Sequence, residues 1–380
     1  MKTLEEINSE TFFKQVEYLD NSFKEIYKNL VFFCSKFQTV TKWCMYSDYC
    51  FEKTNKTITF VIVPAEQYLL PLINKISTVL PKDIKHTRTI TKEKINLLTS
   101  GFFFSISFIL NDEKEILKNT SIESLEKTLN IIPKYFKETK YKNIVSEILQ
   151  DAKRKSFNKK IFYRMVTTSY LAAYVEYKFI QAFNGNLKAF GWFSDRDTIT
   201  IKYHSAYSLF YTINKNNFQY YIKSQLSYRY VFRTPMESKN YTFSLPAPQI
   251  FNDETLFYDS YNRIADYICA TIADFDLNNK RVTKNKFIQM LENVIVDSNH
   301  NAIILYQNKI SFLNIVYDEN CKILSNKVNK INKIIERFSN KEIHKKRISL
   351  LKKTCQKYQD EYYKISTKFT KNSSTNSTTE

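Results

Sequence analysis

The chain has 380 residues, 43% hydrophobic and 16% aromatic, with 57 Lys+Arg against 38 Asp+Glu for a formal net charge of +19. This apolar content excludes intrinsic disorder, and no run approaches the roughly 18 apolar residues of a membrane span. With only Gly101, Gly185 and Gly191, the chain cannot build the glycine-rich phosphate loops of P-loop NTPases or dinucleotide-binding enzymes.

Residues 3–33 carry Leu4, Ile7, Phe12, Val16, Leu19, Phe23, Ile26 and Leu30 at three- and four-residue steps, predicting an amphipathic helix. Two strands follow, 42–50 and 57–63, joined by the polar turn Lys53-Thr54-Asn55-Lys56, and Pro64 stops the second. A helix is expected from Glu66 to Leu80, a fully buried strand from Phe102 to Leu110, and helices near 121–131, 140–152 and 157–183. Residues 187–194 return to strand, and 198–203 alternate as an edge strand does. The aromatic segment 205–232 fits helix and strand alike. Pro235, Pro246 and Pro248 mark loops around a strand at Asn240 to Leu245. A helix from Asn252 to Asp274, capped by Asn252 or Asp253, and another over 284–296 come next. Residues 302–316 read as a hairpin turning at Gln307-Asn308.

The expected architecture is α/β, a mixed sheet over 41–317 with a helical extension at 1–40, a basic helical region at 318–370 and a disordered tail at 371–380. Residues 321–380 hold 15 Lys+Arg against five Asp+Glu, with apolar helical spacing at Ile331, Ile334, Ile335 and Phe338. That region suits a nucleic acid backbone, a docked helical hairpin or an acidic protein partner. Cys34, Cys44, Cys50, Cys269, Cys321 and Cys355 lack the CxxC spacing of a zinc site and read as free thiols. The polar, acidic Met1 to Phe13 differs from a secretory signal, so a cytoplasmic location without membrane attachment is expected. The positive charge favours a polyanion, DNA or RNA; lysine-rich codon bias is the alternative.

Three carboxylates stand in apolar surroundings, where an unpaired charge is costly. Asp48 follows Trp43-Cys44-Met45-Tyr46-Ser47, Asp195 closes the apolar run Leu187 to Phe193, and Asp266 interrupts the helical pattern Ile264-Ala265-Asp266-Tyr267-Ile268. Asp197 and Asp259 are reserves. Each acid also has a plainer reading: a turn residue at Asp48, a strand end paired with Arg196 at Asp195, an ion pair with Arg263 at Asp266.

The order of elements, with these acids on the first strand, a later strand and a late helix, resembles a ribonuclease H-like fold. Residues 42–276 resemble the domain-of-unknown-function 3800 family, through Asp48, Ser194-Asp195-Arg196 and Arg263 to Ala270. That family carries an acidic pair followed by Ser-Gly on its first strand, whereas Asp48 is followed by Tyr49 and Cys50, with Glu52 as a distant substitute. The resemblance implies a metal-dependent nuclease in which Asp48, Asp195 and Asp266 bind Mg²⁺ or Mn²⁺ and activate water against a phosphodiester. Lys85, His86 and Arg196 would contact the substrate. The alternative is a catalytically inactive, nuclease-like module binding nucleic acid or protein, as in a defence or mobile-element system. The Tyr- and Phe-rich segments 207–232 and 257–267 serve either base stacking or the core.

Overall fold

Strand alternation decides which face of the molecule the acids occupy. The computed structural model describes residues 4–53, 55–65, 69–111, 139–154, 157–195, 204–221, 229–233, 258–276, 281–311, 314–317 and 322–323, plus isolated positions between 113 and 130. All fall within one of the chain's two compact units, Met1–Val328, the other being Asn329–Glu380. The strands expected at 198–203 and 240–245 and nearly all of the basic region lie outside the described residues.

The elements are α1 (Leu4–Ser35), β1 (Lys42–Cys50), β2 (Lys56–Pro64), α2 (Leu69–Val79), α3 (Lys92–Leu98) and β3 (Phe104–Asn111), then α4 (Thr139–Ala152), α5 (Lys159–Ala182) and β4 (Ala189–Ser194). After these come α6 (His204–Tyr221), β5 (Arg229–Arg233), α7 (Asp259–Asp274), α8 (Asn285–Met290), β6 (His300–Ser311), β7 (Asn314–Tyr317) and β8 (Lys322–Ile323). The eight strands form one mixed sheet in the order β5-β4-β1-β2-β3-β6-β7, with β8 also on β6. β2 runs antiparallel to both β1 and β3, while β4 runs parallel to β1, β5 to β4 and β6 to β3. The protein is therefore α/β, with helices on both faces.

One face carries Trp43, Met45 and Tyr49 of β1, Ile58, Phe60 and Ile62 of β2, and Phe190 and Trp192 of β4. Helices α1, α4, α5 and α6 cover it. Helix α1 belongs to this core: Leu19, Phe23, Ile26, Leu30 and Phe33 are buried, and Asp20 accepts from Tyr174 of α5 at 2.9 Å and pairs with Lys178 at 2.7 Å. The opposite face carries Cys44 and Tyr46, Val61 and Val63, and Phe193, covered by α2, α3, α7 and α8. Because side chains alternate along a strand, Asp48 and Asp195 continue this second series.

Several elements differ from expectation. The ambiguous 205–232 resolves into helix α6 and strand β5, because the buried Tyr207, Phe210, Tyr211 and Phe218 follow helical spacing onto one face. The described part of the late helix starts at Asp259, after Tyr258, with no side-chain cap; Asn252 and Asp253 lie outside the described residues. β6 runs straight through Gln307 and Asn308 with only a register shift, and the hairpin closes between Ser311 and Asn314. The stretch expected as one helix over 284–296 is α8 followed by a wider π turn, Leu291–Ile295. Lys322–Ile323, expected inside the basic helical region, is strand.

Candidate functional site

Asp48 sits within β1, opposite Thr59 of β2, and is a strand residue, not a turn. On the other side, β4 pairs with β1 up to Ser47 and Ser194, and the Asp195 N–H donates to the Ser47 carbonyl at 2.9 Å. Asp48 and Asp195 are therefore register neighbours on adjacent parallel strands, both on the α7 side. Ser47, Tyr49 and Ser194 point the other way. The Tyr49 hydroxyl lies 2.8 Å from Ser47 Oγ and 2.7 Å from both Ser194 Oγ and the Tyr207 hydroxyl, while Trp192 Nε1 donates to Ser47 Oγ at 2.9 Å. This buried hydroxyl network ties the backs of β1 and β4 together directly behind the two acids.

Helix α7 crosses the sheet above Asp48. Its seating depends on small and polar groups: Cys269 Sγ lies 3.5 Å from the Asp48 carbonyl and 3.6 Å from that of Thr57, and Thr59 Oγ1 bonds Ser107 Oγ at 2.8 Å. Its rotation is fixed from outside. Tyr261 stacks on Tyr46 with ring centroids 4.6 Å apart, and Arg263 donates from Nη1 to the Ser77 and Leu80 carbonyls at 3.1 and 2.7 Å. Arg263 is thus committed to the end of α2, and the ion pair with Asp266 considered from the sequence does not form. That rotation leaves Asn262 and Asp266, four residues apart, on one helix face. Asn262 Nδ2 reaches Asp195 Oδ1 at 3.4 Å, and Asp266 Oδ2 accepts the Ile84 N–H at 2.7 Å.

The three acids therefore meet, and their electrostatics record it. Burial, then the charges of Asp195 and Asp266, raise the Asp48 carboxyl well above the usual range; a hydrogen bond to Asp195 also favours its protonated form. Burial raises Asp266 to about 7 against an opposing hydrogen bond from Ile84, with Asp83 and Asp195 adding to the rise and Lys286 resisting it. Each of the three keeps part of its surface exposed.

A short segment after α2 forms one wall. Thr87 Oγ1 bonds the Tyr267 hydroxyl, and the buried Lys286 ammonium of α8 donates to the Ile84 and Thr87 carbonyls at 2.6 and 3.0 Å. The segment thereby presents Lys85 and His86, both exposed, beside Asp266. Lys85 pairs with Asp83 at 2.7 Å. Burial pushes the Asp83 carboxyl up, but hydrogen bonds from the Lys85 side chain and backbone outweigh this and hold it below the usual range. Arg196 and Asp197 lie outside the described residues. Asp259 stands on α7 nearly two turns before Asp266, and Glu52 is exposed beyond the end of β1. The aromatic residues Tyr207, Tyr211, Tyr258, Tyr261 and Tyr267 are buried, so they serve the core and not base stacking.

The oxygen donors in this region, three carboxylates and the buried Asn262 side-chain carbonyl, which has no hydrogen-bond partner, are of the type a hard divalent cation takes. Among the described residues, no group of three or more His, Cys, Asp or Glu side chains is placed so that it could hold a metal ion. Instead, Asp48 and Asp195 are hydrogen-bonded to each other. Cys34, Cys44, Cys50 and Cys269 are free thiols. No described helix is long and apolar enough to cross a membrane. Asn262, Lys286 and Asp83 escape a reading of the sequence, although the four-residue step from Asn262 to Asp266 was visible in it. No family model matches the chain, and no curated protein or solved structure matches it either.

Proposed function

We propose that the chain is a ribonuclease H-like, metal-dependent nuclease whose site is Asp48, Asp195 and Asp266, with Mg²⁺ or Mn²⁺ as cofactor and nucleic acid as substrate. The observation that carries this reading is that three acids from β1, the end of β4 and α7 lie on one side of the sheet, near enough to raise one another's carboxyl groups. The strand order β3-β2-β1-β4-β5, antiparallel through β1 and parallel beyond it, is the order such a fold requires. Together with the residues quoted above, it also supports the resemblance to the domain-of-unknown-function 3800 family.

Asp48, Asp195 and Asp266 would hold the cations, and the mutual repulsion that raises Asp48 and Asp266 would be relieved by them. Cations so held would activate a water and stabilise the leaving oxygen of a phosphodiester. Lys85 and His86 would position a phosphate at the rim. The hydroxyl network behind β1 and β4 would keep the two strand acids in register, and the Ile84 N–H would orient Asp266.

A second reading, an inactive nuclease-like module that binds nucleic acid or protein, draws on the Asp48–Asp195 hydrogen bond and on Tyr49-Cys50 in place of a second acid. One comparison separates the two. As a nuclease, the protein cleaves DNA or RNA with Mn²⁺ and its melting temperature rises with Mn²⁺; Asp195→Asn abolishes both. As a module, it binds without cleaving, and neither Mn²⁺ nor Asp195→Asn changes the affinity.

A further inference from the structure

Asn262 is an anomaly in the cluster. It is 5% exposed, and its amide has only one satisfied end, the Nδ2 group that reaches Asp195 Oδ1 at 3.4 Å. The orientation is set by chemistry, because an amide beside a carboxylate turns its N–H donors toward it. The carbonyl oxygen is then left buried with no donor. A buried acceptor without a partner is a standing cost, and leucine would fill a similar space without it. The residue is not where it is for helix stability either: asparagine is a poor interior helix residue, and α7 here is held by Tyr261 against Tyr46 and by Arg263 on the end of α2.

The position explains the orphan. Asn262 lies one helical turn before Asp266, and its Nδ2 end reaches Asp195, so the residue that carries the unpaired oxygen is set between two of the three acids. Three carboxylates already repel one another there, and a fourth would add to the repulsion. A neutral oxygen adds a ligand without adding charge.

We infer that Asn262 is the fourth oxygen donor of the site, its Oδ1 taking the divalent cation or a water of that cation's hydration shell beside Asp195 and Asp266. This rests on the nuclease reading for the presence of a cation. It goes beyond that reading by assigning an uncharged residue to the binding machinery. Loss of such a contact weakens metal affinity about 10–100-fold.

Calorimetric titration of the full-length protein with MnCl₂ tests it, with melting of the metal-free protein alongside. The expected result is that Asn262→Leu weakens Mn²⁺ binding at least about tenfold while the metal-free melting temperature stays level or rises. If Asn262→Leu binds Mn²⁺ as the native protein does while Asp195→Asn does not, the assignment of Asn262 is wrong and the nuclease reading survives. If the native protein takes up no Mn²⁺, both fall. Should Asn262→Leu fail to fold, Asn262→Asp decides: a donor at this position tightens Mn²⁺ binding, whereas a residue outside the shell leaves it unchanged.

Discussion

Burial holds the Asp266 carboxyl near 7, against 3.8 for a free one. The folded protein thus binds the extra proton more tightly than the unfolded chain. The resulting stabilisation is complete below the unfolded value and is lost as pH rises through the folded one. In metal-free buffer the melting temperature of the native protein should therefore fall between about pH 4 and pH 7 relative to Asp266→Asn, which cannot titrate at this position. Paired calorimetric scans across that range check it; parallel curves would mean that burial does not raise the Asp266 carboxyl. Asp48 acts in the same direction, so Asp48→Asn should also raise the metal-free melting temperature at pH 8 while removing the response to Mn²⁺. On the nuclease reading, stability and function are opposed at these positions, because like charges would be held together for the cation. The three acids were legible in the sequence because each breaks an apolar pattern that would otherwise run on. Asn262 was not, because an asparagine in a helix looks ordinary until the fold places it in the interior with one end unpaired.

Behind the backbone ladder of β1 and β4, the Tyr49 hydroxyl ties Ser47 to Ser194, beside the bond from Trp192 to Ser47. Tyr49→Phe removes three hydroxyl contacts in a buried place, one each to Ser47, Ser194 and Tyr207. Unfolding in urea should show a loss of about 1–3 kcal/mol, with the slope unchanged. Lys286 does the corresponding work for the wall at Ile84–Thr87. Lys286→Met frees two carbonyls and should cost about 1.5–3 kcal/mol. Because the Lys286 charge also lowers Asp266, its removal should move the Asp266 titration upward, which carboxyl NMR would follow. The paired β1–β2 hairpin and the buried β3 were readable from alternation and from Pro64. The α6 segment was not, since an aromatic run satisfies a period of two and a period of 3.6 equally until a neighbouring surface chooses between them. The turn at Gln307-Asn308 was misplaced for a similar reason: two polar residues look like a loop, yet β6 absorbs them as an irregularity and continues.

At the level of the whole chain, the +19 charge far exceeds what three acids and their immediate lysines account for. If nucleic acid is the partner, counterion release should make its affinity fall at least roughly tenfold between 50 and 200 mM salt. Fluorescence anisotropy with a labelled oligonucleotide measures this, and an affinity indifferent to salt would count against DNA and RNA alike.

The parallel pairing of β3 with β6 has a consequence for biogenesis. β3 ends at Asn111, but the strand that covers its outer edge begins only at His300. During synthesis, nearly two hundred residues must leave the ribosome before that row of backbone donors and acceptors is closed. Until then the nascent sheet presents an open apolar border to any passing strand. Such late, distant pairing slows folding and favours aggregation of incomplete chains. Premature termination between Asp274 and His300 should therefore yield insoluble fragments, even though every acid of the cluster has already been translated.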